Sequence, residues 1–286
     1  MLASNVNAYA KSRQLIRSMK RKRRLVLLFC IIFAIALYFL LASFISGSPS
    51  AGTNILLIFS ASLPSIILEL ILLTKIMLPA TTSFTIECDP EKFLLINQEI
   101  KRTAHPPHVA STLGHFFLGD FDAAQESASN IFHAASASYR PYKLTALFYK
   151  ASCEYMQGMY SSADHTIRNF NDLFSHSSDK LQRQYTNTHL SLLLLQAIMQ
   201  LDIEKINQHR TAERQPISAI SKPAEGWLSY LRGVAAFHVQ DYEHSFQYFS
   251  SLMQGYEKTF LPQAAAEYIE KLKPLLHDSK FESYNN

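Results

Sequence analysis

LGHFFLGDFDAAQESA, residues 113–128, sets a glycine, an aspartate and an aromatic in the middle of an apolar pattern of helical period. Related arrangements return as QGMYSSADHTI (157–167) and VQDYEHSFQYF (239–249). Aligned on Gly119, Gly158 and Gln240, the three segments carry Phe121, Tyr160 and Tyr242 two residues on, and small Ala124, Ala163 and Ser245 five residues on. Seven residues before the aligned position stand Thr112, Ala151 and Gly233, also small. Small residues at both places let two antiparallel helices approach closely, and the aromatic fills the bend between them. Glycine or its substitute sits where the first helix must stop.

The aromatics at 121, 160 and 242 leave room for one further unit. LSLLLLQAIMQLDIEKI (190–206) fills it, with Ile203 in the aromatic place and bulky Leu194 and Ile206 at the small positions. Over about residues 105–255 this spacing resembles the tetratricopeptide repeat, a helix–turn–helix unit of 34 residues. The steps from Phe121 to Tyr160, Ile203 and Tyr242 are each longer than that unit, which calls for extended loops. SHSSDK (175–180) and RQPISAISKP (214–223) have loop composition. The resemblance implies an all-α solenoid of helical hairpins. Flanking helices are expected at 89–100, with Asp89 as N-cap and Pro90 in the first turn, and at 261–276, with Ala265, Tyr268, Ile269 and Leu272 facing inward. The last would close the open end of the array.

The resemblance also implies a concave groove that takes an extended peptide or a helix. Carried over, it places Val109, Leu113 and Phe116 there from the first unit, Phe148, Ser152 and Tyr155 from the second, and Trp227, Tyr230 and Phe237 from the fourth. The Lys/Arg/Asn clamp with which some family members hold a C-terminal carboxylate is absent, so such a groove would favour an apolar or amphipathic helix. Aromatics at helical spacing equally suit a core, and the terminal helix is itself a candidate occupant.

Ahead of the repeats, Leu25 to Ile45 is an apolar run without charge or proline. At 1.5 Å per residue it reaches about 31 Å, the thickness of a bilayer core. SGSPSAGTN (46–54) follows as a turn, and ILLIFSASLPSIILELILLTKIML (55–78) is long enough to return, with Pro64, Glu69 and Lys75 inside it. The first run is too long for the apolar part of a cleaved signal peptide. Three parts are therefore expected: a basic tail (1–24), a transmembrane hairpin (25–79) and a soluble helical domain (80–286).

Eight Lys and Arg precede the first span with no acid among them, and the connecting loop has none. This bias places the N-terminus and the C-terminal domain in the cytoplasm, on a multi-pass protein of the cell (inner) membrane. Lys20, Arg21, Lys22, Arg23 and Arg24 are also suited to anionic headgroups. Residues 80–286 carry 18 Lys and Arg against 22 Asp and Glu. The basic balance of the chain thus comes from the tail, and the acidic domain would repel nucleic acid. Glu69 lies roughly 12 Å inside its span, where an ionisable side chain either serves a partner helix or proton path or reaches back to the interface near Lys75.

Little in the chain points to chemistry. With 8 Gly there is no glycine-rich phosphate loop, and neither CxxC, HExxH nor GxSxG occurs. Cys30, Cys88 and Cys153 make no disulfide framework. All eleven histidines follow the spans, but the tightest pair, His105 and His108, has no Cys or carboxylate at zinc-like spacing. No catalytic residue, metal or cofactor is expected. The leading expectation is an adaptor that holds a protein partner at the membrane, with room for self-association. The alternatives are a subunit of a transport or signalling complex acting through its spans and Glu69, and an exported folding helper, which requires the inverted topology.

Overall fold

The computed structural model describes residues 2–43, 51–99, 106–135, 137–212 and 221–282. Every regular element among them is helical. The chain divides into two compact units, one of residues 1–81 with 95–104 and the other of residues 82–94 with 105–286.

In the first unit, α1 (Leu2–Ser43) runs unbroken for 42 residues. No glycine or proline lies between residues 2 and 43, so nothing stops the basic segment from continuing as helix into the apolar run. The expected tail is thus the first half of α1. Following it, α2 (Ala51–Thr85) extends 35 residues, past the expected end of the span and through Pro64. Two stretches, Ile16–Ser43 and Thr53–Leu72, are long and apolar enough to cross a membrane. A core helix of a soluble protein would hide such side chains, whereas Leu25, Phe39 and Phe59 are 55%, 66% and 70% exposed. The two helices meet through the Tyr38 hydroxyl and Asn54 Oδ1, 3.2 Å apart. Leu57, Ala61 and Ser65, spaced one turn apart on α2, are buried, as is Cys30 of α1. The end of α3 (Pro90–Glu99) also belongs here: Lys20 Nζ lies 2.6 Å from Glu99 Oε2, and Ile96 is fully buried.

In the second unit, the start of α3 is capped by Asp89, whose Oδ1 accepts from the Lys92 N–H at 3.0 Å. Four hairpins follow: α4 (Pro107–Leu118) with α5 (Phe121–His133), α6 (Lys143–Met156) with α7 (Tyr160–Ser175), α8 (Asp179–Gln200) with α9 (Ile203–Arg210), and α10 (Lys222–His238) with α11 (Tyr242–Leu252). A 3-10 turn, Ala137–Tyr142, leads into α6, and α12 (Leu261–Glu282) ends the array. Consecutive helices pack together through to α12. The core is continuous from Phe84 to Leu272, and the inward residues of α12 are Ala265 and Leu272, with Tyr268 and Ile269 packed beside them.

The four bends share one backbone conformation. Gly119, Gly158, Leu201 and Gln240 all take positive φ, at 79°, 74°, 51° and 62°. At each, that residue's N–H donates three residues back and the next N–H donates five back: Gly119 to Phe116 and Asp120 to His115, Gly158 to Tyr155 and Met159 to Glu154. Leu201 to Ile198 and Asp202 to Ala197, and Gln240 to Phe237 and Asp241 to Ala236, complete the set at 2.8–3.1 Å. This pair of bonds satisfies carbonyls that a helix end otherwise leaves open. Leucine is the costliest of the four residues in this conformation, by about 1–2 kcal/mol relative to a right-handed one, and its side chain is 61% exposed. Leu201→Gly is therefore expected to raise the unfolding free energy by about 0.5–1 kcal/mol. Chemical denaturation followed through Trp227, the single tryptophan, would read it, with Leu201→Ala as the control that should not gain.

Candidate functional site

The positions that define the bends lie where helix meets helix. Ala124, Ala151 and Ala163 are fully buried, as are Leu194 and Ile206, and Thr112, Gly233 and Ser245 are buried with them. In the fourth hairpin the facing is explicit: the Ser245 hydroxyl donates to the Gly233 carbonyl at 2.9 Å. Phe121 and Tyr242 are partly buried, packed against the core at their bends, while Tyr160 and Ile203 stand out into solvent.

Polar bonds tie each hairpin to the next. Buried Glu154 of α6 accepts through Oε1 from Gln125 of α5 at 3.2 Å and from Ser162 of α7 at 2.7 Å. Gln157 donates to Asp122 at 2.6 Å, and Gln196 to Asp164 at 2.7 Å. Arg210 on α9 meets Asp241, the N-cap of α11, at 2.6 Å, and His244 lies 2.8 Å from the same carboxylate. Burial pushes the Asp241 carboxyl up, but the bonds from Arg210 and His244 outweigh it and hold it below its ordinary range.

The residues expected to line an open groove are filled in by the chain itself. Phe116, Trp227 and Tyr230 are buried, and Leu113, Phe148, Tyr155 and Phe237 are packed against the same core. Phe116, Trp227, Tyr230 and Phe237 have neighbours from the end of the chain. Phe260, in the loop before α12, sets its ring 5.5 Å from Phe116, 5.1 Å from Phe121 and 6.3 Å from Trp227. Tyr268 of α12 lies 6.3 Å from Tyr230, 5.4 Å from Phe237 and 4.8 Å from Phe249. The Phe260 N–H donates to the Phe117 carbonyl at 3.0 Å, and Lys258 pairs with Asp89. First and fourth hairpins thereby close on each other, with Phe116 and Trp227 5.1 Å apart, edge to face. Of the stripe that suggests a groove, Phe116, Trp227 and Tyr230 are core, and Leu113, Phe148, Tyr155 and Phe237 are partly buried against it. Phe260 has no signal of its own: it stands outside every helical pattern and far along the chain from Gly119.

The open surface includes the edge of bends and the opposite edge of loops. Leu118, Met159, Tyr160, Leu201 and Ile203 are exposed along the first. A cleft occupies the second, between the 3-10 turn and the start of α8. In the first unit Glu69 is half-buried on α2. Of the basic cluster, Lys20 is held by Glu99, Arg21, Lys22 and Arg24 are exposed, and Arg23 is half-exposed. The side chain of Lys75, residues 46–50 of the expected turn, His105 and residues 214–220 of the expected loop lie outside the described residues, while residues 51–54 of that turn and 222–223 of that loop are helical, in α2 and α10.

Among the described residues no three His, Cys, Asp or Glu side chains gather as a metal site. Cys153 is fully buried, and burial, with Glu154 and Asp122 adding to it, pushes its thiol far above the ordinary value. Burial likewise raises Cys88 to about 11, so neither thiol is activated as a nucleophile. His189, tilted against the Phe174 ring at 4.5 Å, is held below the usual imidazole value by burial and by His209. Protein-family models, curated proteins and solved structures contain no match to this chain.

Proposed function

We propose that the chain is a membrane-anchored adaptor whose tetratricopeptide-like array of hairpins holds a protein partner at the cytoplasmic face of the cell membrane. The observation that carries this reading is the fourfold recurrence of one bend, at Gly119, Gly158, Leu201 and Gln240, in a chain that opens with two exposed apolar helices. Repeated hairpins present long composite surfaces suited to peptides and helices. Two helices with all eight N-terminal cations on one side suit an anchor whose two ends share the cytoplasm. Because the aromatic stripe is filled by Phe260 and α12, the partner engages an outer edge of the array, through a peptide or an amphipathic helix.

The test is crosslinking in intact cells, using the full-length chain with a C-terminal tag and mass spectrometry of what it captures. Crosslinks from Lys150 to one soluble cytoplasmic protein are the expected result. Crosslinks confined to membrane proteins or to other copies would overturn the adaptor reading and shift the function to the spans and Glu69. Digestion of the tag from outside the cell would overturn the orientation.

A further inference from the structure

We propose that the cleft at the loop edge of the first three hairpins docks a short acidic, leucine-bearing segment of the partner, a proposal that rests on the adaptor reading and names its ligand. The cleft measures about 710 Å³, within the range of compact ligand sites. Its floor is apolar, with Leu144 at the start of α6 buried and Leu173 of α7 and Leu181 of α8 partly so. Its rim is cationic, with Arg140 in the 3-10 turn and Lys143 at the start of α6, and no acid lines it.

Among the described residues neither cation pairs with a carboxylate; the Lys143 ammonium lies 5.5 Å over the Phe132 ring. Asp172, the nearest acid on α7, lies 3.5 Å from His176. Ser178, at the N-cap of α8, makes no side-chain cap bond, and Asp179, the acid in the first turn of α8, is exposed beside it. Charge makes the choice of ligand. Residues 80–286 bear 22 acids against 18 bases, so an acidic segment is repelled by most of the domain and drawn to this cleft. Three leucines beneath two cations ask for aliphatic side chains beside carboxylates, which a bare phosphate does not supply.

The experiment exposes full-length protein in neutral-lipid nanodiscs to a displayed library of random heptapeptides. Peptides combining Asp or Glu with Leu or Ile are expected to be enriched. The best of them, labelled with fluorescein, should bind in anisotropy titrations with an affinity that R140E/K143E lowers about ten-fold or more. K205E/K273E, on other surfaces, should change it less than two-fold. Trp227 emission reports whether each variant is folded, and R140Q/K143Q replaces the reversal if that unfolds. The proposal is overturned if no acidic peptide is enriched, if the cleft variants bind as well as wild type, or if millimolar inorganic phosphate displaces the peptide fully. It is also overturned if phosphatidylglycerol vesicles displace the peptide, since the cleft would then be a lipid site. These outcomes depend on the cleft alone. Loss of the Lys150 crosslink to any soluble protein would instead count against the adaptor reading.

Discussion

Phe116→Ala is expected to lower the unfolding free energy by about 4 kcal/mol. The ring is fully buried and lies 5.0–5.9 Å from those of Phe117, Phe121, Tyr149, Trp227 and Phe260. Removing it leaves a cavity where the first hairpin meets the fourth, bordered by large rings that cannot all move inward together. Trp227 is the direct reporter, because its indole touches the site and the chain has no other tryptophan. Urea titration of the full chain in detergent should show a lower midpoint, together with a red shift of native emission as water reaches the indole. Phe260→Ala removes a ring on the same cluster, so the double variant should lose less than the sum of the singles. Full additivity would show that the two rings do not share one packing site.

Gly233→Leu is expected to destabilise by about 3 kcal/mol through overpacking. A Cβ at Gly233 would stand 2.8 Å from two ring atoms of Phe249, which is fully buried and stacked on Tyr268 at 4.8 Å. The ring has nowhere to go without displacing α12. The Gly233 carbonyl also accepts the Ser245 hydroxyl, so separating the helices would strand a buried polar pair. Gly233→Ala should give a smaller loss in the same direction, and a leucine variant as stable as wild type would mean that α10 and α11 are not held this closely. The same Trp227 titration measures both.

These effects sit at different distances from what the sequence displays. The bends are legible because their chemistry is local: Gly119-Asp120-Phe121 carries a residue tolerant of positive φ, a cap and a plug at adjacent positions. Gly233 and Ser245 are legible for the same reason, being small residues at fixed offsets from a bend. The third bend shows only through its cap, Asp202, and Ile203, since nothing about Leu201 announces a left-handed backbone; flanking helices impose it. The fate of the aromatic stripe is not legible, because periodicity states which face of a helix is apolar and not which distant segment covers it. The length of α1 escapes for a related reason. Composition changes sharply at Leu25, but a change from basic to apolar residues without glycine or proline is no reason for a helix to end.

The seating of Phe260 on Phe117 also orders events during synthesis. A linear array can complete each hairpin as it is made and fray from either end. Here half the length of the chain separates the Phe117 carbonyl of α4 from the Phe260 N–H that meets it. At a chain growth of about 5–20 residues per second, that interval is roughly 7–30 s. For that time the first hairpin lacks its Phe260 lid, and its aromatic ends remain open to chaperones or to neighbouring nascent chains. The loop before α12 completes the first hairpin, so a truncation before residue 260 would leave both hairpins that meet at Phe260 unfinished.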